Sequence, residues 1–228
     1  MTAGQSVTST AHRTWFGWGH SRGVVGQNRY ALTFDDGPLA GATEAILDVL
    51  KAKSATATFF VIGENAEREP ALVRRMHEEG HLVGNHTWMH SRLSMFREQW
   101  YWRREIERTD AVIESLIGRR PAMFRPPMGV RTPPNMRVCR RTGHAVILWT
   151  RRTMDGVATT PERIIDRVME TASDGDVIVL HDGRERASKR DPQATIDALP
   201  ALIDRMHERG LSPAPLNELL NLQAYRAQ

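Results

Sequence analysis

Short apolar runs alternate with longer amphipathic runs along most of the chain, and this alternation is the feature that most restricts its fold. Six runs predict β-strands, at residues 30–35, 55–62, 81–86, 122–125, 144–149 and 176–181, and a weaker seventh lies near Leu211. Several are almost continuously apolar, such as residues 177–180, which is typical of strands covered on both faces. Strands that alternate with helices form parallel sheets. We therefore predict an α/β fold, a closed or nearly closed barrel of six or seven units.

Helices are predicted between the strands by apolar residues at helical spacing and by the residues that bound them. The predicted helices cover residues 43–51, a segment from Pro70 to Gly80, residues 94–117, a segment that begins at Thr160, and residues 194–209. Proline is favoured in the first turn of a helix, and glycine is favoured just after the last turn. We expect the apolar faces of these helices to form the core.

The composition restricts the chain to a globular protein. With 228 residues, of which 40% are hydrophobic and 25% charged, it fits one large domain and excludes a disordered, collagen-like or coiled-coil protein. Cys139 is its only cysteine, which excludes an intramolecular disulfide framework and a cysteine-rich zinc module.

The N-terminal segment bears on domain organisation and location. Residues 1–28 lack periodicity, and we predict an extension that packs on a main domain of residues 29–228. The aromatic residues expected to make this contact are Trp15, Phe16 and Trp18. No apolar run reaches the ~18 residues of a membrane span, and no apolar core of a signal peptide follows the N-terminus. We therefore expect a soluble, cytoplasmic chain, or a secreted or cell-envelope one if an anchor has been removed from the sequence.

The net charge of +4 is unevenly distributed. Between Ser115 and Met154 there is no aspartate or glutamate, but there are nine arginines. Such a stretch could contact phosphate groups of a lipid carrier or an anionic membrane surface, or it could be a solvated basic face. It lacks the interleaved aromatic residues of a base-stacking surface, so no nucleic-acid partner is expected.

Two predicted strands end in residues that can bind a metal ion. Asp35 and Asp36 follow the first strand, and carboxylates in such a place require hydrogen bonds or a cation once they are desolvated. His86 and His90 follow the third strand, at a spacing that places both on one face of a helical turn. An aspartate with two histidines leaves coordination positions for water and substrate, as in catalytic metal sites. Each group alone could instead be a solvated turn or a chance spacing.

Later strands end in groups that can position or transfer a proton. Arg125 precedes a loop stiffened by Pro126 and Pro127, and a guanidinium can hold a carboxylate through two hydrogen bonds. An exposed arginine in a stiff loop is the alternative. Asp155 follows the fifth strand, and His181 leaves the last apolar strand. This histidine would be a general acid if a carboxylate supported its second nitrogen.

Together these groups form an ordered set: Asp-Asp, His-x3-His, Arg-Pro-Pro-x-Gly, Asp and Leu-His. From about Tyr30 to Leu222 the sequence resembles the polysaccharide deacetylase family, the NodB-homology domain of carbohydrate esterase family four. The similarity includes connecting segments such as residues 57–60 and 80–86. The resemblance implies a distorted (β/α)7 barrel of NodB-homology type. It also implies one divalent metal ion, most often Zn²⁺, with Co²⁺, Ni²⁺ or Mn²⁺ as alternatives.

The resemblance further implies a role for each matching residue. The implied metal ligands are Asp36, His86 and His90. The implied catalytic residues are Asp35 as general base, Arg125 holding that base, the Met128 N–H as oxyanion-hole donor, His181 as general acid and Asp155 orienting the acid. The implied substrate-binding residues are Leu180 beside the acetyl methyl group, Trp149, Pro127 and Arg152.

Three positions depart from the family pattern. Met128 stands where many relatives have tyrosine, Arg152 where an acidic residue often stands, and Gly156 where tryptophan is common. These differences affect the substrate groove rather than the reaction centre. Arg152 favours an anionic or lipid-linked substrate over neutral chitin, and the arginine-rich stretch could add a peripheral contact with a membrane surface.

The function implied by the resemblance is metal-dependent hydrolysis of the N-acetyl group of an amino-sugar glycan or glycoconjugate. Asp35 would take a proton from metal-activated water, and His181 would protonate the leaving amine. No serine or cysteine is placed for a covalent acyl-enzyme. Two alternatives are an O-acetyl esterase of the xylan type and an inactive relative that binds glycans. The retained acids, histidines and Arg125 argue against the inactive relative.

Overall fold

The computed structural model describes residues 10–14, 17–186, 188 and 190–227, and its centre is a curled sheet of parallel strands. The strands are β1 (Thr10–Thr14), β2 (Gly17–Arg22), β3 (Arg29–Asp35), β4 (Ala57–Val61), β5 (Leu82–Asn85), β6 (Met123–Phe124), β7 (Ala145–Val146), β8 (Arg151–Arg152), β9 (Val177–His181) and β10 (Ser212–Pro213). Those from β3 to β9 lie in the order β7–β6–β5–β4–β3–β9–β8, and β10 pairs with the start of β3. This arrangement is the predicted barrel in a distorted, half-open form.

Helices cover the outside of the sheet. They are α1 (Ala42–Ala52), α2 (Gly63–Arg68), α3 (Pro70–Glu78), α4 (Gln99–Ile117), α5 (Pro133–Thr142), α6 (Pro161–Met169), α7 (Gln193–Glu208) and α8 (Leu216–Leu220). The helix predicted from residue 94 begins only at Gln99, because Ser94–Phe96 forms a separate 3₁₀ turn and Arg97 after it is extended. Within the described ranges, no helix is both long and apolar enough to cross a membrane.

Alternate residues of each central strand face opposite sides of the sheet, and this decides what each side contains. In β3, Leu32 and Phe34 pack into a large apolar core with residues of α1, α6 and α7. Burial of each such side chain contributes roughly 1.5–3 kcal/mol. Thr33 and Asp35 are also buried, but they face the inner side of the curl, where Arg125 binds them. The fold therefore directs polar groups inward at the carboxyl ends of its strands.

An N-terminal hairpin lies against the open side of the sheet. Strands β1 and β2 pair in antiparallel fashion. His20 of β2 forms a parallel bridge with Ile147, and Arg22 forms an antiparallel bridge and a 2.8 Å ion pair with Asp176. Strand β2 therefore lies between the chain that follows β7 and the chain that precedes β9.

The predicted contact of the N-terminal aromatic residues is only partly described. Trp15 and Phe16 lie outside the described residues, and Trp18 is 57% exposed. The boundary between residues 28 and 29 stays a prediction, since β2 and β3 lie on either side of it and both contact the same sheet.

Candidate active site

A cleft of about 210 Å³ lies at the carboxyl ends of the parallel strands. The predicted site residues that line it are Asp35, Asp36, His86, His90, Met128, Trp149, Arg152 and His181. They come from five separate stretches of chain, and the sheet brings them together because parallel strands all end at the same edge.

Three of these residues converge on one point. One ligand atom each from Asp36, His86 and His90 lie within 4.8 Å of one another. Asp36 Oδ1 is 3.4 Å from Nε2 of both histidines. Two donors on one tetrahedral zinc ion, each about 2.0–2.1 Å from it, would be roughly 3.4 Å apart. Asp36 Oδ1 is buried and accepts no hydrogen bond from the described residues. The residues present therefore fit a divalent cation.

Local backbone conformation aims these ligands. Asp36 and His90 both have left-handed backbones, with φ of 73° and 50°, which turn the chain sharply after β3 and β5. The side chain of Asn65 donates to the Asp36 carbonyl oxygen, and the His90 N–H donates to the Thr87 hydroxyl. These hydrogen bonds hold both turns.

Hydrogen bonds also fix which imidazole nitrogen is free. His86 Nδ1 lies 2.7 Å from the carbonyl oxygen of Arg125, so this nitrogen carries the proton. His90 Nδ1 lies 3.1 Å from the Glu185 carboxylate. In the neutral form of both rings, Nε2 therefore presents its lone pair towards Asp36, which is the arrangement that supports metal-binding histidines.

Charge in the cluster favours the ionised carboxylate. Burial alone would raise the pKa of Asp36, but His90, His86 and His181 outweigh it and hold this pKa well below its ordinary value. Burial alone would lower the pKa of His90, whereas Asp36 and Glu185 raise it above its ordinary value. A carboxylate and two imidazoles so arranged attract a cation.

The candidate base is held by a buried guanidinium. Asp35 Oδ1 accepts a 2.7 Å hydrogen bond from Arg125, which also donates to the Thr33 hydroxyl and to the carbonyl oxygen of Leu148. The guanidinium packs over the ring of Phe60 at 4.2 Å. Asp35 Oδ2 lies 3.9 Å from His86 Nε2, on the side of the cluster formed by Asp36 and the two histidines. One carboxylate oxygen is therefore fixed and the other faces the cleft.

The candidate acid, His181, is hydrogen-bonded to a buried carboxylate. His181 Nδ1 lies 2.7 Å from Asp155 Oδ1. Asp155 also accepts hydrogen bonds from the His181 N–H and from the hydroxyls of Thr153 and Thr195. Burial alone would lower the pKa of His181, but Asp155 outweighs it and raises this pKa above its ordinary value. The imidazole thus lines the cleft with Nδ1 held by Asp155, and this carboxylate favours its protonated form.

Two predicted substrate-binding residues do not line the cleft. Pro127 is buried in the turn that carries Met128. Leu180 packs into the apolar core with the helices, because neighbouring residues of a strand face opposite sides. Val179, two residues before His181, lines the cleft instead. The structure therefore places Val179, and not Leu180, at the cleft wall where the acetyl pocket is predicted.

The loop between β9 and α7 adds residues that sequence patterns did not indicate. Glu185 contacts His90 and pairs with Arg92 at 2.7 Å. Arg190 pairs with Asp36 Oδ2 at 2.8 Å and also donates to the Gly183 carbonyl oxygen. No periodicity or motif in this loop distinguishes these charged residues from solvated ones.

Comparison with known proteins identifies the family. A family model described as polysaccharide deacetylase matches residues 22–147, more than half of the chain. The chain belongs to the polysaccharide deacetylase family. The matched segment contains the three ligand residues, Asp35 and Arg125.

Individual relatives agree with this assignment. The chain is 34% identical over 188 residues to a peptidoglycan-N-acetylglucosamine deacetylase of Bacillus cereus, covering 82% of this chain and 66% of that protein. It is 34% identical over 204 residues to a chitooligosaccharide deacetylase of Bradyrhizobium, covering 86% and 92%. The chain spans slightly less than two thirds of the Bacillus protein, and only 38% of a peptidoglycan-N-acetylglucosamine deacetylase of Listeria monocytogenes.

A solved structure confirms the fold. A crystal structure of a peptidoglycan N-acetylglucosamine deacetylase matches with a TM-score of 0.84 and 30% identity, covering 90% of this chain and 94% of the other. The predicted α/β fold of NodB-homology type is therefore correct.

Proposed function

We propose that this chain hydrolyses the N-acetyl group of an amino-sugar glycan, releasing acetate and a free amine. The observation that carries the proposal is that three groups lie together at one cleft. They are three side chains whose ligand atoms converge, the Asp35 carboxylate bound by Arg125, and the His181 imidazole hydrogen-bonded to Asp155. Relatives named as deacetylases of peptidoglycan and of chitooligosaccharides support an N-acetylated glycan as the substrate class. Zn²⁺ suits the donor set, since zinc in catalytic sites uses imidazoles and a carboxylate. Co²⁺, Ni²⁺ and Mn²⁺ are the alternatives.

The attacking side of the reaction depends on the ligand cluster and on Asp35. A divalent ion held by Asp36, His86 and His90 would polarise the acetamide carbonyl and lower the pKa of the attacking water. Asp35 accepts the proton of that water at Oδ2, while its Oδ1 stays fixed by Arg125. The two oxygens of Asp35 therefore have separate roles, since Oδ1 positions the carboxylate and Oδ2 accepts the proton.

The leaving side depends on Met128 and His181. The backbone N–H of Met128, in a left-handed turn at the cleft wall, donates to the oxygen that gains negative charge. His181 donates its Nε2 proton to the departing nitrogen, because an amine leaves poorly unless it is protonated. Asp155 stabilises the charged imidazole and fixes its orientation. No covalent intermediate is needed.

The test combines metal analysis with acetate release from N-acetylglucosamine oligomers. The wild-type chain should bind about one divalent ion and release acetate, and a chelator should abolish the release. Asp35→Asn should retain the ion but lose roughly 10²–10⁴-fold in rate. His86→Ala should lose both the ion and the activity. Normal turnover by chelated His86→Ala would contradict the proposal.

An O-acetyl esterase is the second candidate for the same cleft, because its steps need the same groups. Esters have better leaving groups than amides, so activity on small model esters does not discriminate. Rates on acetylated xylan and on N-acetylglucosamine oligomers should be compared directly. Faster acetate release from xylan would favour the esterase, and glycan binding without release from either would favour an inactive relative.

A peripheral membrane contact is a further proposal, and the surface that could make it is α5. The nine arginines of the acid-free stretch do not share one face, since Arg125 is buried and Arg151 pairs with Asp176. Arg140 and Arg141 are exposed at the end of α5. Reversing both charges should weaken sedimentation with anionic vesicles, and unchanged sedimentation would contradict the contact.

A further inference from the structure

Each carboxylate that lines the cleft pairs with an arginine, and one further arginine of the cleft has no carboxylate partner in the part of the chain that the structure describes. The pairs, with N–O distances of 2.7–2.8 Å, are Asp35 with Arg125, Asp36 with Arg190, and Glu185 with Arg92. Arg152 lines the same cleft and is exposed. Among the described residues, none forms an ion pair or a hydrogen bond with the Arg152 guanidinium. A divalent ion at the ligand cluster would add further positive charge, so the cleft favours anions.

The strand pairing places Arg152 on the wall that carries the candidate acid. In the parallel pair of β8 and β9, Arg152 lies opposite Val179. Val179 lines the cleft two residues before His181. The neighbouring Arg151 is held elsewhere, because its guanidinium binds Asp176 at 2.6 Å. Arg151 therefore stabilises the fold, whereas the guanidinium of Arg152 is available to bind a ligand.

We propose that Arg152 binds an oxyanion of the substrate, a carboxylate or a phosphate carried on the N-acetylated sugar close to its acetamide. This inference rests on the proposed function and narrows its substrate class to acidic N-acetylated sugars. Guanidinium groups bind both oxyanions through paired hydrogen bonds. Trp149, Met154 and Val157 line the same cleft and offer apolar surface to a sugar ring. Such cover shields the ion pair from water and strengthens it.

The kinetic test uses three probes: neutral N-acetylglucosamine oligomers, oligomers that contain N-acetylmuramic acid, and N-acetylglucosamine 1-phosphate. Arg152→Ala should raise KM for the anionic probe that occupies the site by roughly 10- to 100-fold, with kcat nearly unchanged. Its KM for the neutral oligomers should rise far less than its KM for that anionic probe. The probe whose KM rises tells a carboxylate from a phosphate. Arg152→Lys should lose part of the affinity, since a lysine keeps the charge but not the paired geometry.

Arg141→Ala is the matched control, because Arg141 is an exposed arginine of the same acid-free stretch and does not line the cleft. It should leave all three KM values unchanged. Equal effects of Arg152→Ala on neutral and anionic probes, or no effect on any, would overturn the inference. The wild-type preference for an anionic probe should also fall as salt concentration rises.

Binding measurements separate this inference from the proposed function. If the wild-type chain released no acetate from any probe, the proposed deacetylation would fail. Calorimetric titration of the same probes would then still test Arg152. Tighter binding of an anionic probe that is lost in Arg152→Ala would support the inference, and equal affinity for neutral and anionic probes would overturn it.

Discussion

At the scale of single residues, the pair of Asp35 and Arg125 connects stability with catalysis. Both side chains are buried, and each is the main charged partner of the other at 2.7 Å. Burial lowers the pKa of Arg125, and the Asp35 carboxylate opposes this shift. We expect Arg125→Met to leave a buried carboxylate without its cation and to lower the free energy of unfolding by about 3–5 kcal/mol. Urea unfolding measures this loss.

A double variant distinguishes charge from packing in this prediction. Asp35→Leu combined with Arg125→Met removes both charges, so it should be more stable than Arg125→Met alone. Both variants should lack acetate release. If the second substitution lowered stability further, an uncompensated charge would not be the cause of the first loss.

At the same scale, Asp155 sets the pH range in which His181 remains an acid. Since Asp155 raises the pKa of His181, the protonated form persists to higher pH, and activity falls only as pH rises through this raised pKa. Asp155→Asn should lower the pKa and move the falling limb of kcat/KM to lower pH. The loss of rate should therefore be larger near pH 8 than near pH 6. Asp166→Asn, at an exposed carboxylate of α6, should leave the profile unchanged. An unmoved limb in Asp155→Asn would contradict this role.

At the scale of elements, long periodic segments were predictable from the sequence and short ones were not. The strand predicted at 176–181 is Val177–His181, and the helix predicted at 194–209 is Gln193–Glu208. Helices α2 and α8 have only six and five residues, too few to display a helical period. Helix α5 is rich in arginine and buries only three residues, so it lacks an apolar stripe. Strand β8 consists of two arginines.

The site residues also divide into those that a sequence pattern predicts and those that it does not. Residues that directly follow a strand were predictable, because the ends of parallel strands meet at one edge whatever lies between them. Glu185 and Arg190 come from a loop without a pattern, so their inward direction depends on contacts that only the folded chain defines. Leu180 is expected at the cleft from the sequence, whereas the structure places Val179 there, because in a strand one position changes the face. Its alternation with His181 would have indicated Val179.

Also at this scale, the turn Pro127–Gly129 should be sensitive to a single methyl group. Gly129 has φ of 70°, and a Cβ there would lie 2.7 Å from the Trp149 ring. Gly129→Ala should therefore displace the ring or the turn and reduce acetate release by roughly 10-fold or more, as expected if an oxyanion donor is misplaced. Gly143→Ala is the control, because Gly143 has φ of 71° but no atom within 4 Å of its Cβ. It should cost roughly 1–2 kcal/mol of stability without loss of activity. Equal activity of the two variants would contradict the role of this turn.

At the scale of the whole molecule, the ligand cluster joins the ends of β3 and β5, which only the folded sheet brings together. The unfolded chain has no such site, so an ion that binds the native state must stabilise it. Free Zn²⁺ at 100 times its dissociation constant should raise the free energy of unfolding by about 2.7 kcal/mol. Asp36→Asn should remove most of this zinc-dependent increment, whatever its effect on stability without zinc. Asp204→Asn, which removes a surface ion pair with Lys53 away from the cluster, should retain it. An equal increment in both variants would place the ion outside the cluster, and would leave the paired histidines as a structural feature of the turn after β5.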